Sequence, residues 1–106
     1  MREIDLATFT ARHRDRAAVI DVREPSEYIA GHVPGAELIP MGQLPARVAN
    51  LPRGVPVYLI CASGNRSAAM TSFLVRAGFD AYSVAGGTSA WSRAGRPLVT
   101  GPAPTS

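Results

Sequence analysis

Short runs of apolar, β-branched residues recur along the chain, and segments of helical spacing separate them. Ala18-Val19-Ile20-Asp21-Val22 reads as a buried strand. Val55 to Ile60 is the strongest strand prediction; Glu37-Leu38-Ile39 is a brief one, and Asp80-Ala81-Tyr82-Ser83-Val84 another. Between them, Asp5 can cap a helix running through Leu6, Phe9 and Ala11, and Pro25 to Ala30 spans one or two helical turns. Gly31 to Ala36 predicts a turn, with Pro34 and Gly35 suited to the central positions of type II. Met41 to Asn50 has helical spacing in Leu44, Val48 and Leu51. Ser67 to Ala77 predicts a helix with Ala69, Met70, Phe73 and Leu74 on one face and Gly78 as its stop. After Gly86-Gly87, Thr88 or Ser89 can cap a last short helix through Trp91.

Strands alternating with helices predict an α/β domain over residues 1–99, its parallel sheet covered by helices on both faces. Residues 100–106 have the composition of a linker and are expected to be disordered. In open parallel sheets, ligands sit beyond the carboxyl ends of the strands. Asp21-Val22-Arg23, Cys61 and Gly86-Gly87 all fall at predicted strand ends, so segments distant in sequence converge on one edge.

Composition narrows the setting. A chain of 106 residues with 46% hydrophobic content has room for one globular core. The start, Met1-Arg2-Glu3-Ile4-Asp5, lacks the basic-then-apolar order of a secretory signal. No apolar stretch reaches the roughly 20 residues that cross a bilayer. The expectation is a cytoplasmic protein with no membrane partner. One cysteine cannot close an internal disulfide, and with two histidines it is a poor basis for a metal site. The thiol therefore reads as free, and neither metal nor cofactor is expected. All eleven basic residues are arginine against eight acids, for a net charge of +3. This excess favours anions in general, but a dense basic face with interleaved aromatics is missing, so nucleic acid is not expected as a partner.

The candidate chemistry lies in Cys61-Ala62-Ser63-Gly64-Asn65-Arg66-Ser67, which follows the apolar run Val57 to Ile60 and precedes a helical pattern. Ser63, Gly64 and Asn65 tolerate unusual backbone angles, so the loop can curl with its N–H groups inward. Curled amides make a nest for an anion, and the following helix adds its positive end. A thiol at the centre of such a nest ionises more readily, and the thiolate is the nucleophilic form. Arg66 adds a permanent charge that can face an anionic substrate or brace the loop. Asp21 and Arg23 end a strand near this site and are expected to brace the loop by hydrogen bonds or an ion pair; His32 reads as a structural hydrogen-bonder. Trp91, Phe73 and Tyr82 read as core residues, and Gly86-Gly87 as a point of close backbone approach. On these residues alone, Cys61 can also be a small core hydrophobe ending a strand.

Three segments in order resemble the signatures of the single-domain rhodanese family of sulfurtransferases. They are Asp21 to Tyr28 with Gly31 to Ala36, then Cys61 to Ser67, then Gly86-Gly87-Thr88-Ser89-Ala90-Trp91. The resemblance implies a rhodanese-like five-stranded parallel sheet flanked by helices on both faces. It implies that Cys61 takes up sulfane sulfur as a persulfide held by the amides of Ala62 to Ser67. The donor is then a small anion such as thiosulfate, and the acceptor is cyanide in the test tube and a thiol or protein cysteine in the cell. Two alternatives share the fold. A cysteine-dependent phosphatase or arsenate reductase uses the same thiolate, amides and arginine, but with one residue more than the four that separate Cys61 from Arg66. A regulatory module without catalysis commonly lacks the cysteine.

Overall fold

The described part of the computed structural model, residues 2–105, lays five strands side by side. The elements in chain order are β1 (Glu3–Ile4), α1 (Leu6–Arg14), β2 (Ala18–Asp21), α2 (Pro25–Ala30) and β3 (Glu37–Leu38), then α3 (Leu44–Arg47), β4 (Val57–Ile60), α4 (Asn65–Arg76), β5 (Ala81–Val84) and α5 (Gly87–Arg93). All pairings are parallel and the spatial order is β1-β5-β4-β2-β3. Composition gave no sign of β1, whose two residues pair with Ser83 and Val84 at the sheet edge. A strand that short carries too little pattern to be read without its partner.

The period of two along the strands builds two cores. On β4, Val57 and Leu59 face one way and, with Ile20, Ile39, Leu44, Leu74 and Phe79, form the layer beneath α3 and α4. Tyr58 and Ile60 face the other way and join Phe9, Val19, Val84 and Trp91 beneath α1 and α5. The strand predicted from Val55 begins at Val57, because Pro56 has no N–H for the ladder; Val55 stays exposed. The 41–50 segment becomes α3 and a 3-10 turn, Val48–Asn50. On α4 the buried stripe is Ser67, Thr71 and Leu74, with Ala69 left exposed. Two hydroxyl residues on the inner face disguise that stripe in a purely apolar reading.

The tail from Thr100 is not loose. Through Thr105 it lies against the 29–36 segment, with hydrogen bonds from Gly101 N–H to Ile29 O and from Gly35 N–H to Pro104 O, both 2.9 Å. His32 is fully buried, its ring stacked on Tyr28 at 3.6 Å between centroids. Its two nitrogens lie 2.7 Å from Tyr28 O and 2.9 Å from Ala103 O. The tail's carbonyls are thus satisfied by groups some seventy residues away, which local composition cannot reveal. Ser106 lies outside the described residues.

Candidate active site

Strand alternation sets the direction of Cys61. It continues the Val57–Leu59 face of β4, is 1% exposed, and belongs to the core layer beneath α4. The chain then reverses through Ala62 and Ser63 into Gly64, whose φ of +111° lets the loop curl back before α4 begins. The curl aims amides at sulfur: Gly64 N–H donates to Cys61 Sγ at 3.0 Å and Ser67 N–H at 3.4 Å. The Ser67 hydroxyl lies 3.4 Å from Sγ, 2.8 Å from Ser83 Oγ and 3.2 Å from Gly64 O. Burial opposes ionisation of the thiol. The Ser67 hydroxyl and the amides of Ser67, Gly64 and Ser63 outweigh it, so the pKa falls below that of an ordinary thiol.

The hydroxyl pair explains how both charge states are accommodated. With a neutral thiol, S–H can donate to Ser67 Oγ, which donates to Gly64 O. When sulfur is anionic, the Ser67 hydroxyl can turn to it while Ser83 donates to Ser67. Replacing Ser67 by Ala removes the largest favourable contribution. The pH midpoint for alkylation of Cys61 by iodoacetamide should then move upward. An unmoved midpoint would mean that the amides alone lower the pKa.

Arg66 makes no hydrogen bond to the sulfur. Its Nη1 and Nη2 donate to Glu27 Oε1 and Oε2 at 2.7 and 2.9 Å, a bidentate pair joining α4 to α2. Glu27 Oε1 also accepts from Glu24 N–H at 3.0 Å, closing the first turn of α2. The hydrogen bonds from Arg66 outweigh the cost of burial and hold the Glu27 carboxyl down at about 2. Glu27 was not anticipated; the sequence signal for it is an acid at the third position of a Pro-started helix. Because its folded pKa is depressed, its stabilisation is complete above the ordinary glutamate range and is lost as pH falls from there toward 2. Glu27→Gln should lower stability at pH 7 by about 1 kcal/mol, the pair being a third exposed, and flatten the acid limb of a urea-midpoint profile. An unchanged acid limb would show that the pair contributes nothing.

Asp21 and Arg23 form a buried bidentate pair, 2.8 to 3.1 Å, and Arg23 Nη2 also donates to Gly31 O at 2.8 Å. The pair therefore fixes the connection around α2. Among the described residues neither side chain bonds to the 61–67 loop; the nearest link is Val22 N–H donating to Ile60 O at 3.0 Å. The last helix closes the site from the other side. Neither Thr88 nor Ser89 caps it: Gly86 does, and the amides of Thr88 and Ser89 donate to Cys61 O at 2.8 Å and Ala62 O at 3.0 Å. The unpaired donors of α5 thus fix the backbone of the cysteine itself. Beside this junction runs an open groove of about 520 Å³, walled by Ala62, Thr88, Ser89, Ser92, Arg93 and Leu98 among others.

The β1-β5-β4-β2-β3 sheet that carries this thiol matches known proteins over most of the chain. The sequence profile of the rhodanese-like domain family covers residues 7–94. The chain belongs to this family. A protein named sulfurtransferase from Allochromatium vinosum is 33% identical over 102 residues, 93% of this chain and 95% of that protein. The crystal structure of a rhodanese-related protein from Thermoplasma volcanium superposes with a TM-score of 0.85 at 36% identity, over 93% of this chain and 98% of the other. A rhodanese-like domain protein from Staphylococcus aureus gives 0.81 at 32% identity, over 86% and 91%. The five-stranded rhodanese-like sheet with helices on both faces is therefore shared with these relatives.

Proposed function

We propose that this rhodanese-like chain is a sulfurtransferase that carries sulfane sulfur as a persulfide on Cys61. The observation that carries the reading is the set of donors around Cys61 Sγ, with a thiol pKa lowered in consequence. The Cys61 thiolate attacks the outer sulfur of a small anionic donor such as thiosulfate. The donor's S–S bond breaks and sulfite leaves with the electron pair, while a new S–S bond forms on Cys61. The carried sulfur then sits about 2.05 Å beyond Sγ. Cyanide, a thiol or a protein cysteine attacks it, and Cys61 departs as the thiolate. The amides from Ala62 to Ser67 hold the anion in both states, and no proton acceptor has to act during transfer. A free thiol of this kind suits the reducing cytoplasm.

The position of Arg66 favours sulfur over phosphate. A phosphatase loop needs its arginine turned toward the phosphoryl oxygens, whereas both terminal nitrogens of Arg66 are held by Glu27. Intact Cys61 likewise favours catalysis over a purely regulatory module. The test is to incubate the protein with thiosulfate and measure its intact mass. Gain of one sulfur atom, reversed by cyanide with release of thiocyanate, is the expected result. An unmodified mass together with hydrolysis of an aryl phosphate would overturn the reading.

A further inference from the structure

The three longest helices, α1, α4 and α5, end in the same hydrogen-bonded turn. Arg16, Gly78 and Gly95 donate to His13 O, Val75 O and Ser92 O; the residues after them, Ala17, Phe79 and Arg96, donate to Arg12 O, Leu74 O and Trp91 O. That turn needs a left-handed residue at its first donor. α4 and α5 supply Gly78 and Gly95, with φ of +94° and +77°, whereas α1 supplies Arg16, with φ of +63°. Arg16 is the single non-glycine residue at positive φ among the described residues, and its Cβ makes that conformation costly. Charge at the helix end does not account for it, because Arg12, His13 and Arg14 already complement the dipole in the last turn. A strained residue kept at such a place directs attention to its side chain.

Arg16 lines a cavity of about 700 Å³ at the amino ends of β2 and β4, the edge of the sheet opposite Cys61. Arg12, one turn earlier on α1, lines it too, and neither guanidinium takes part in an ion pair among the described residues. Asp15 is the one carboxylate of the wall. Aromatic wall comes from Tyr58 and Tyr82, stacked at 5.7 Å between centroids. Tyr58 is 4% exposed, and its hydroxyl takes part in no side-chain hydrogen bond among the described residues. Val55, a large apolar residue left exposed, adds wall beside Pro56. The volume is in the range of sites that hold organic ligands.

We propose that this cavity binds a small organic anion with a planar aromatic ring, at a site separate from the cysteine loop. Arg12 and Arg16 take the anionic group, the Tyr58 hydroxyl supplies a further donor, and the ring packs against the tyrosines and Val55. A guanidinium pairs in a fork with carboxylate or phosphate oxygens, and tyrosine gives a ring both contact area and a complementary quadrupole. Binding there needs no sulfur on Cys61.

The test follows backbone amide NMR signals of isotope-labelled protein during titration with naphthoate. Naphthalenemethanol serves as the neutral ring and acetate as the anion without a ring. Millimolar naphthoate should shift the amides of Arg16, Ala17, Val55 and Tyr58 and leave those of residues 62–67 in place. Arg12→Ala and Arg16→Gly should each raise its Kd about fivefold, while the weaker binding of the alcohol changes less than about twofold. Arg16→Gly should also raise the urea midpoint, because glycine relieves the left-handed strain, so stability and affinity move in opposite directions. Unmoved amides around the cavity, equal affinity for naphthoate and the alcohol, or an unchanged Kd in both arginine variants would each overturn the site. An Arg16→Gly protein less stable than the parent would show that the arginine is kept for the fold, and would overturn it as well.

Discussion

Cys61→Ser is expected to fold and to be inert. Serine is nearly isosteric, and its Oγ can still accept from Gly64 N–H, so the amides of the loop keep a partner. The cost to stability should be about 1 kcal/mol, because the replaced atom is buried at 1% exposure but not left unsatisfied. Chemistry fails for a different reason. The nest lowers a thiol pKa into reach, but a serine hydroxyl starts far higher and has no base to take its proton. His32 is the nearest candidate by sequence, and its nitrogens face Tyr28 O and Ala103 O, away from the loop. Thiosulfate should therefore add no sulfur, and turnover to cyanide should fall on the order of 10³-fold or more. A folded Cys61→Ser protein that still gains sulfur would relocate the carrier and end the proposal. The described residues contain no other cysteine to receive it.

How much of this site could be read from sequence depended on whether the deciding contact was local. The cradle was legible because everything it needs lies within seven residues: a strand end, small turn formers, and a helix start. Arg66 stayed ambiguous in the sequence because its partner, Glu27, is 39 residues away on another helix. Asp21 and Arg23 were expected to brace the cysteine loop, but they pair with each other across two residues of one strand end. Their bond to Gly31 rather than to the cysteine loop depends on the path of α2, which spacing does not encode. The ordered tail and β1 escaped for the same reason. Each is held by hydrogen bonds to a distant segment and has little pattern of its own. Thr88 and Ser89 show the opposite error: capping residues by type, they lie inside the first turn, and their amides serve the neighbouring loop.

That last contact makes Gly87 a sensitive position outside the loop. Its φ is +58°, and a Cβ built there would lie 2.3 Å from Cys61 O and 2.7 Å from Ala62 O. These are backbone atoms and cannot rotate aside. They also accept the 2.8 and 3.0 Å bonds from Thr88 and Ser89, so moving them breaks the link that fixes the cysteine. Gly87→Ala should therefore cost about 3–5 kcal/mol, combining left-handed strain with a clash that only a backbone shift relieves. For contrast, Gly35 has φ +85° with nothing within 4 Å of a built Cβ, so Gly35→Ala should cost only the strain, about 1 kcal/mol. Urea midpoints of the two variants give the comparison, and alkylation of Cys61 gives the coupling. In Gly87→Ala the displaced loop should lose its aim on Sγ, so the thiol should alkylate with a raised pH midpoint even where the protein remains folded. A Gly87→Ala protein as stable as Gly35→Ala, with an unmoved midpoint, would show that α5 packs beside the loop without holding it. The close approach of Gly87 to Cys61 O would then be incidental to the chemistry of the sulfur.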